Sequence, residues 1–276
     1  MQAARARGQA ARLTAWSRSE RTRAQCVGHP WCDAVVEDPR ECVRGADLVV
    51  ACVPVDRIGP LLELVAGDLA ADAVVTDVGS TKAGVCAAAE RVLPAGRFVG
   101  SHPMAGSEKS GPAHASPELF AGRVCFVTPT AGSAAAAVAR VEQFWQALGM
   151  RVAKETPETH DRIVARVSHL PHAVAAALCA LLATQPTAWG AFAGQGLRDT
   201  TRVAGGDPGL WRAIFQENRT AVLAALADYQ QVLEQLRMAL AAEDFGAVTA
   251  LLAQGQRWRN RWEGENPAPR TGAGGA

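Results

Sequence analysis

The stretch AVVTDVGSTKAGVCAAAERV, residues 73–92, decides the fold. Its first five residues, Ala73 to Asp77, form a short β-branched run of the kind that makes a buried strand, and the ten from Ala83 onward have helical composition. A small polar loop, Val78-Gly79-Ser80-Thr81-Lys82, joins them. A strand that passes through a tight loop into a helix is half of a parallel crossover. The same rhythm continues in both directions. Strands are expected at 48–53, 98–100, 124–128 and 151–153, and helices over 58–65 and 134–148, so residues 38–154 read as a parallel α/β sheet. Asp38-Pro39 supplies an N-cap and a first-turn proline for a short helix closed by Gly45.

After Thr156-Pro157, another cap and first-turn proline, β-propensity nearly vanishes and the pattern is helical. From Asp207-Pro208 the apolar residues Leu210, Trp211, Ile214, Phe215, Val222, Leu226, Tyr229, Leu233, Leu236 and Leu240 recur at helical spacing, which predicts one helix longer than about 30 residues. A stripe of that length is expected to pack along a second copy of the chain, the alternative being packing within its own domain. The Pro/Gly/Ala-rich residues 266–276 are expected to be a disordered tail.

Bulk properties narrow the function. With 276 residues, 49% hydrophobic and 20% charged, the chain can bury a large core. A net charge of +1 provides no field to concentrate a polyanion, so nucleic acid is not an expected partner. The longest apolar run, residues 173–183, is shorter than the roughly 18–20 residues of a membrane span, and no membrane is expected. Met-Gln-Ala-Ala-Arg-Ala-Arg is not followed by an apolar stretch and is no secretory signal; an Arg-rich targeting helix stays open. Seven cysteines without a C-x-x-C pair suit reduced thiols and a cytoplasmic location.

Two strand ends carry unusual polar clusters, and in open parallel sheets ligands bind at the carboxyl ends of strands. The first is Thr76 to Lys82, where Ser80 reads equally as a helix cap or a ligand group. The second is Gly100-Ser101-His102-Pro103-Met104-Ala105-Gly106-Ser107-Glu108-Lys109-Ser110-Gly111, too rich in special residues for a core segment or a simple turn. His102 is its chemical centre.

Five segments in order make the sequence resemble the prephenate and arogenate dehydrogenases of tyrosine biosynthesis. They are D-x-x-S-x-K at Asp77 to Lys82, H-P-M-A-G followed by Ser-Glu at His102 to Glu108, Ser168-His169-Leu170-Pro171-His172, Gly196-Leu197-Arg198-Asp199-Thr200-Thr201-Arg202, and Asp207-Pro208-Gly209-Leu210-Trp211. The resemblance covers roughly residues 10–240. It implies a Rossmann-type nucleotide-binding domain (1–155) followed by an all-α substrate and dimerisation domain (156–265), and a homodimer. It also implies NAD(P)-dependent oxidative decarboxylation of prephenate or arogenate. By resemblance His102 accepts the proton of the ring hydroxyl and Ser80 shares that contact. Arg202 binds a substrate carboxylate, a task that suits a guanidinium fork. His169 and His172, three apart on a helix bent by Pro171, line the substrate pocket, and Ser107 and Glu108 stand near its entrance. The two histidines with His160 could instead form a metal set, but carboxylates of matching spacing are missing and the family uses no metal. Trp211 is expected to pack rather than to touch substrate.

A dehydrogenase of this type opens with a strand and a G-x-G-x-x-G loop. No such motif occurs in this sequence, which begins in what reads as the helix after that loop, followed by a strand over 11–16. On that alignment the first strand and glycine loop, about 15–20 residues, are missing. The expectation is a misplaced start codon, with a truncated, non-catalytic dimerisation or binding module as the alternative. Another hydroxy-acid dehydrogenase is the remaining reading. The cofactor contacts in the chain are Ser17, Arg18, Val53, Pro54, Val55 and Ser80. Ser17-Arg18 takes the place of the acid that bonds the adenine ribose of NAD, so NADP is expected over NAD.

Overall fold

The computed structural model describes residues 1–105, 111 and 115–265. By packing, the chain divides into two units, Met1–Val222 and Leu223–Ala276.

The first unit begins with α1 (Gln2–Ala6), β1 (Thr14–Trp16), α2 (Glu20–Cys26), β2 (Ala34–Val36) and α3 (Pro39–Val43). It continues with β3 (Leu48–Ala51), α4 (Val55–Val65), β4 (Val74–Asp77), α5 (Ala83–Val92), β5 (Gly100–Pro103), β6 (Val124–Thr128), α6 (Ala135–Ala147) and β7 (Arg151–Lys154). Strands β1 and β2 pair in parallel, as do β3 and β4, with Ala51 opposite Asp77. No hydrogen-bonded pairing joins β1 to β3 among the described residues. Strand β4 extends its ladder through a parallel bridge between Val75 and Phe98.

The sheet departs from the all-parallel expectation at β5, which runs antiparallel to β6 with His102 opposite Phe126, while β6 and β7 are parallel. His102 therefore sits inside a strand, two residues beyond the predicted end at residue 100, because the ladder with β6 extends through Pro103.

Helices cover both faces of the sheet, so strand β4 is buried along its whole length, as expected of a doubly covered sheet. On one face Ile58 and Leu62 of α4 meet Val85 and Ala89 of α5, together with Ile214 of a later helix. On the other, Ala3 and Ala4 of α1 pack with Val141 and Trp145 of α6 against Val99 and Val127.

The helical part opens with α7 (Pro157–Val164), capped by the Thr156 hydroxyl. A π-helical turn, Ala165–His169, leads without a break into α8 (Leu170–Ala183), with Pro171 as the second residue of α8. The wider turn just before it is where the helix accommodates the N–H that proline lacks. Pro157–Ala183 is helical throughout, and is long and apolar enough to cross a membrane by length and composition alone. Short α9 (Gln195–Thr201) and a 3₁₀ turn, Arg202–Gly205, precede α10 (Pro208–Glu217).

The single long helix expected from Asp207 is in fact two, because α10 ends at Asn218 (φ −105°, ψ 27°) and α11 (Arg219–Ala241) begins after it. Asn218 is buried and donates to the Asp161 carbonyl at 2.8 Å; a tertiary hydrogen bond overrides the helical pattern.

The second unit comprises the rest of α11 and α12 (Phe245–Glu265). It exposes Leu223, Val232, Leu233, Met238 and Leu240 on α11, and Phe245, Leu252, Trp258 and Trp262 on α12. The expected tail, 266–276, lies outside the described residues.

Candidate active site

The loop between β4 and α5 and the strand β5 are locked together through Ser101. Its N–H donates to Asp77 Oδ1 at 3.0 Å, its carbonyl accepts from Lys82 Nζ at 3.0 Å, and its hydroxyl donates to the Asp77 carbonyl at 2.5 Å. Trp145 Nε1 donates to the same hydroxyl at 2.9 Å, and Thr76 Oγ1 lies 2.8 Å from it. Lys82 is fully buried and pairs with Asp77 Oδ2. A charge with no solvent contact is tolerable only because a carboxylate and a carbonyl pair with it. Gly79 is required here because a Cβ would come within 2.8 Å of both Asp77 Oδ2 and Ile58 Cδ1. The D-x-x-S-x-K segment thus carries Ser80 on a loop whose two ends, Asp77 and Lys82, are bonded to Ser101, the neighbour of His102.

His102 is 9% exposed, and its Nδ1 lies 2.9 Å from Nε2 of His160 on α7. His160 Nδ1 lies 2.8 Å from Asp161 Oδ1. The Asp161 carboxylate also accepts from Lys82 N at 2.8 Å and Ala83 N at 3.0 Å, which fixes it at the start of α5. Burial holds the His102 pKa well below its ordinary value, with His160, Lys82 and His169 adding to the effect. Burial also lowers His160, partly opposed by Asp161, and lowers His169 to about 4. Each shift favours the neutral ring.

His169 and His172 occupy the π turn and α8. His169 is buried, with Nδ1 3.2 Å from Asn218 Nδ2 and its ring edge-on to Trp211. His172 stacks on Trp211 at 3.5 Å and 11°. Its pKa is lowered by burial, partly opposed by a hydrogen bond to the Val203 backbone, and its Nδ1 is buried with no partner among the described residues. Gly206 allows this stack, since a Cβ there would come within 2.6 Å of Trp211 Nε1. Trp211 packs on the two site histidines.

Arg202 is exposed and begins the 3₁₀ turn that contains Val203. Glu108 and Ser107 lie outside the described residues. Of the cofactor candidates, Ser17 and Arg18 follow β1, and their carbonyls accept from Arg23 Nη1 at 2.7 and 3.3 Å. A hydroxyl and a guanidinium on a braced corner are a donor set that fits a phosphorylated ribose. Val53 and Pro54 stand between β3 and α4, but Val55 turns its side chain into the core with Ile58, leaving only its backbone for a ligand.

The residues that sequence reading missed as a group are His160, Asp161 and Asn218. Their signal was a pair of polar residues, His160-Asp161, on a helix whose neighbours Val164 and Ala165 are fully buried. Sequence spacing offers His160 only as a possible third metal ligand; in the fold its two ring nitrogens face His102 and Asp161.

Residues 2–154 match the model of the prephenate dehydrogenase nucleotide-binding domain, and residues 156–254 that of the prephenate dehydrogenase dimerization domain. The chain is 36% identical to the cyclohexadienyl dehydrogenase of Zymomonas mobilis over 82% of its own length and 77% of that protein. Its structure superimposes with TM-score 0.89 on the prephenate dehydrogenase of Aquifex aeolicus, solved with hydroxyphenyl propionate and NAD+, at 29% identity over 94% of this chain and 92% of that one. The arogenate dehydrogenase of Synechocystis matches with TM-score 0.81 at 30% identity, covering 95% of each chain.

Proposed function

Because this chain belongs to the prephenate dehydrogenase family, we propose that it oxidatively decarboxylates prephenate or arogenate with NADP or NAD, in tyrosine biosynthesis. The observation that carries this reading is the buried His102, bonded through Nδ1 to His160, in a strand whose Ser101 is tied to both ends of the loop that carries Ser80. As hydride leaves the carbon that bears the ring hydroxyl, that hydroxyl gives up its proton and the C–O bond becomes a carbonyl; the ring carboxylate then departs as carbon dioxide, its bonding electrons aromatise the ring, and the proton returns to the phenolic oxygen. Neutral imidazole is the base suited to that transfer. Bound nicotinamide supplies the hydride acceptor.

His102 Nε2 takes the hydroxyl proton, and the Ser80 hydroxyl hydrogen-bonds the same oxygen. Arg202 pairs with a substrate carboxylate. His169 and His172, packed on Trp211, form an aromatic wall of the substrate pocket. Ser107 and Glu108 contribute at the entrance. Ser17 and Arg18 hold the adenosine end of the cofactor, and residues 53–55 approach it from the next strand. Arg18 suits a 2′-phosphate, which favours NADP. Residues 1–155 serve as the nucleotide-binding domain and 156–265 as the substrate domain. The exposed apolar residues of α11 and α12 support a homodimer, and reduced thiols support a cytoplasmic location.

The test is the rise in reduced-nicotinamide absorbance when the purified protein meets prephenate or arogenate with each cofactor. Turnover of one substrate, faster with NADP, is expected; inertness toward both removes the reading. Arg18→Ala should raise the KM for NADP about tenfold and leave that for NAD unchanged.

A further inference from the structure

We propose that His160 is a positioning residue for proton transfer: backed by Asp161, it fixes His102 in the tautomer that carries its hydrogen on Nδ1 and leaves Nε2 bare. The inference rests on the reading of His102 as the base and extends it to a second histidine 58 residues away.

The hydrogen positions follow from the acceptors. Asp161 Oδ1 lies 2.8 Å from His160 Nδ1 and has only lone pairs to offer, so His160 carries its hydrogen on Nδ1. In a neutral ring the other nitrogen, Nε2, is then an acceptor. It lies 2.9 Å from His102 Nδ1, which must therefore be the donor. A neutral His102 with its hydrogen on Nδ1 has one remaining lone pair, on Nε2, the atom that must take the hydroxyl proton.

The surroundings allow no competing arrangement. The rings of His102 and His160 meet at 69° with centroids 5.1 Å apart, and Phe126 of β6 closes the other side of His160 at 5.0 Å. His160 is fully buried, so water does not reach its nitrogens. The titratable groups that face the pair are Asp161 from α7, Lys82 and Asp77 from the β4–α5 segment, and His169 from the π turn. Asp161 is itself immobilised by Lys82 N, Ala83 N and, through its carbonyl, Asn218. When the hydroxyl proton moves to Nε2, His102 becomes an imidazolium. It keeps its Nδ1–H bond to His160, and the Asp161 charge behind His160 favours the cation. No proton need move along the chain.

A residue that fixes a tautomer acts on turnover and not on substrate affinity. His160→Leu should lower kcat about a hundredfold and leave KM within about threefold, because His102 then samples the wrong tautomer. His160→Gln, whose amide oxygen can still accept from His102 Nδ1–H, should regain at least about tenfold of that loss. Equal losses in the two variants, or a loss confined to KM, would overturn the proposal. Should His160→Leu fail to fold, ¹⁵N NMR of the wild-type histidine rings decides the matter, with His102 assigned by comparison with His102→Asn. A hydrogen on His102 Nδ1 is expected, and one on Nε2 contradicts the proposal. That spectrum needs no substrate, so a protein inert toward both substrates would overturn the proposed reaction while the tautomer was still read.

Discussion

Replacing Lys82 by Met tests the claim that the buried ion pair with Asp77 holds the two site segments together. Lys82 Nζ has no solvent contact and two partners, the Asp77 carboxylate and the Ser101 carbonyl. Removing one member of a buried pair generally costs about 3–5 kcal/mol, because the other charge is left uncompensated. Asp77 keeps backbone donors at Gly79, 2.8 Å, and Ser101, 3.0 Å, which places the cost at the lower end, about 3 kcal/mol. For a chain of this size that lowers Tm by about 6–12 °C. Calorimetry and urea titration of wild type and variant measure it. A loss below about 1 kcal/mol in the variant would refute the reasoning.

Other outcomes follow from the same structure. The His169 pKa is pushed down to about 4 by burial, so below the ordinary 6.5 the unfolded chain takes up a proton that the folded chain refuses. Stability is therefore full above about pH 6.5 and falls as pH drops toward 4, by about 3 kcal/mol from His169 alone, with His102 and His160 acting in the same direction. Urea midpoints at pH 7.5 and 4.5 should differ accordingly, and equal midpoints would contradict it. Asn218→Ala strands the Asp161 carbonyl and His169 Nδ1, at a cost of about 1–3 kcal/mol in the same titration; a neutral result would mean that neither bond matters. Gly206→Ala forces Trp211 off His172 and should raise substrate KM, where an unchanged KM would separate that stack from binding.

Much of the fold was legible because its signals are local. Helix α5 and strand β6 have the bounds expected from composition, and the Asp38, Thr156 and Asp207 side chains cap the helices they precede. Helix α2 and strand β2 were missed: the first is mostly charged or polar and the second only three residues long, so neither presents an apolar period. The break at Asn218 could not be read from propensity, since a buried carbonyl contributed by α7 decides it. The same applies to the site. His102 and Ser80 announce themselves through crowded motifs at strand ends, whereas the bond between His102 and His160 joins residues 58 apart in sequence and follows no spacing rule. What the motifs marked was the chemistry; what they left unmarked was the apparatus that orients it.

The most direct test of the account is the pair kcat and substrate Kd for His102→Asn. Asparagine cannot accept the hydroxyl proton, yet it can keep a hydrogen bond toward His160. The account predicts a fall in kcat of about 10²–10⁴-fold, with the Kd from tryptophan fluorescence changed by less than about threefold. Turnover within tenfold of wild type, or a kcat loss matched by an equal loss of binding, would contradict the assignment of His102 as the base.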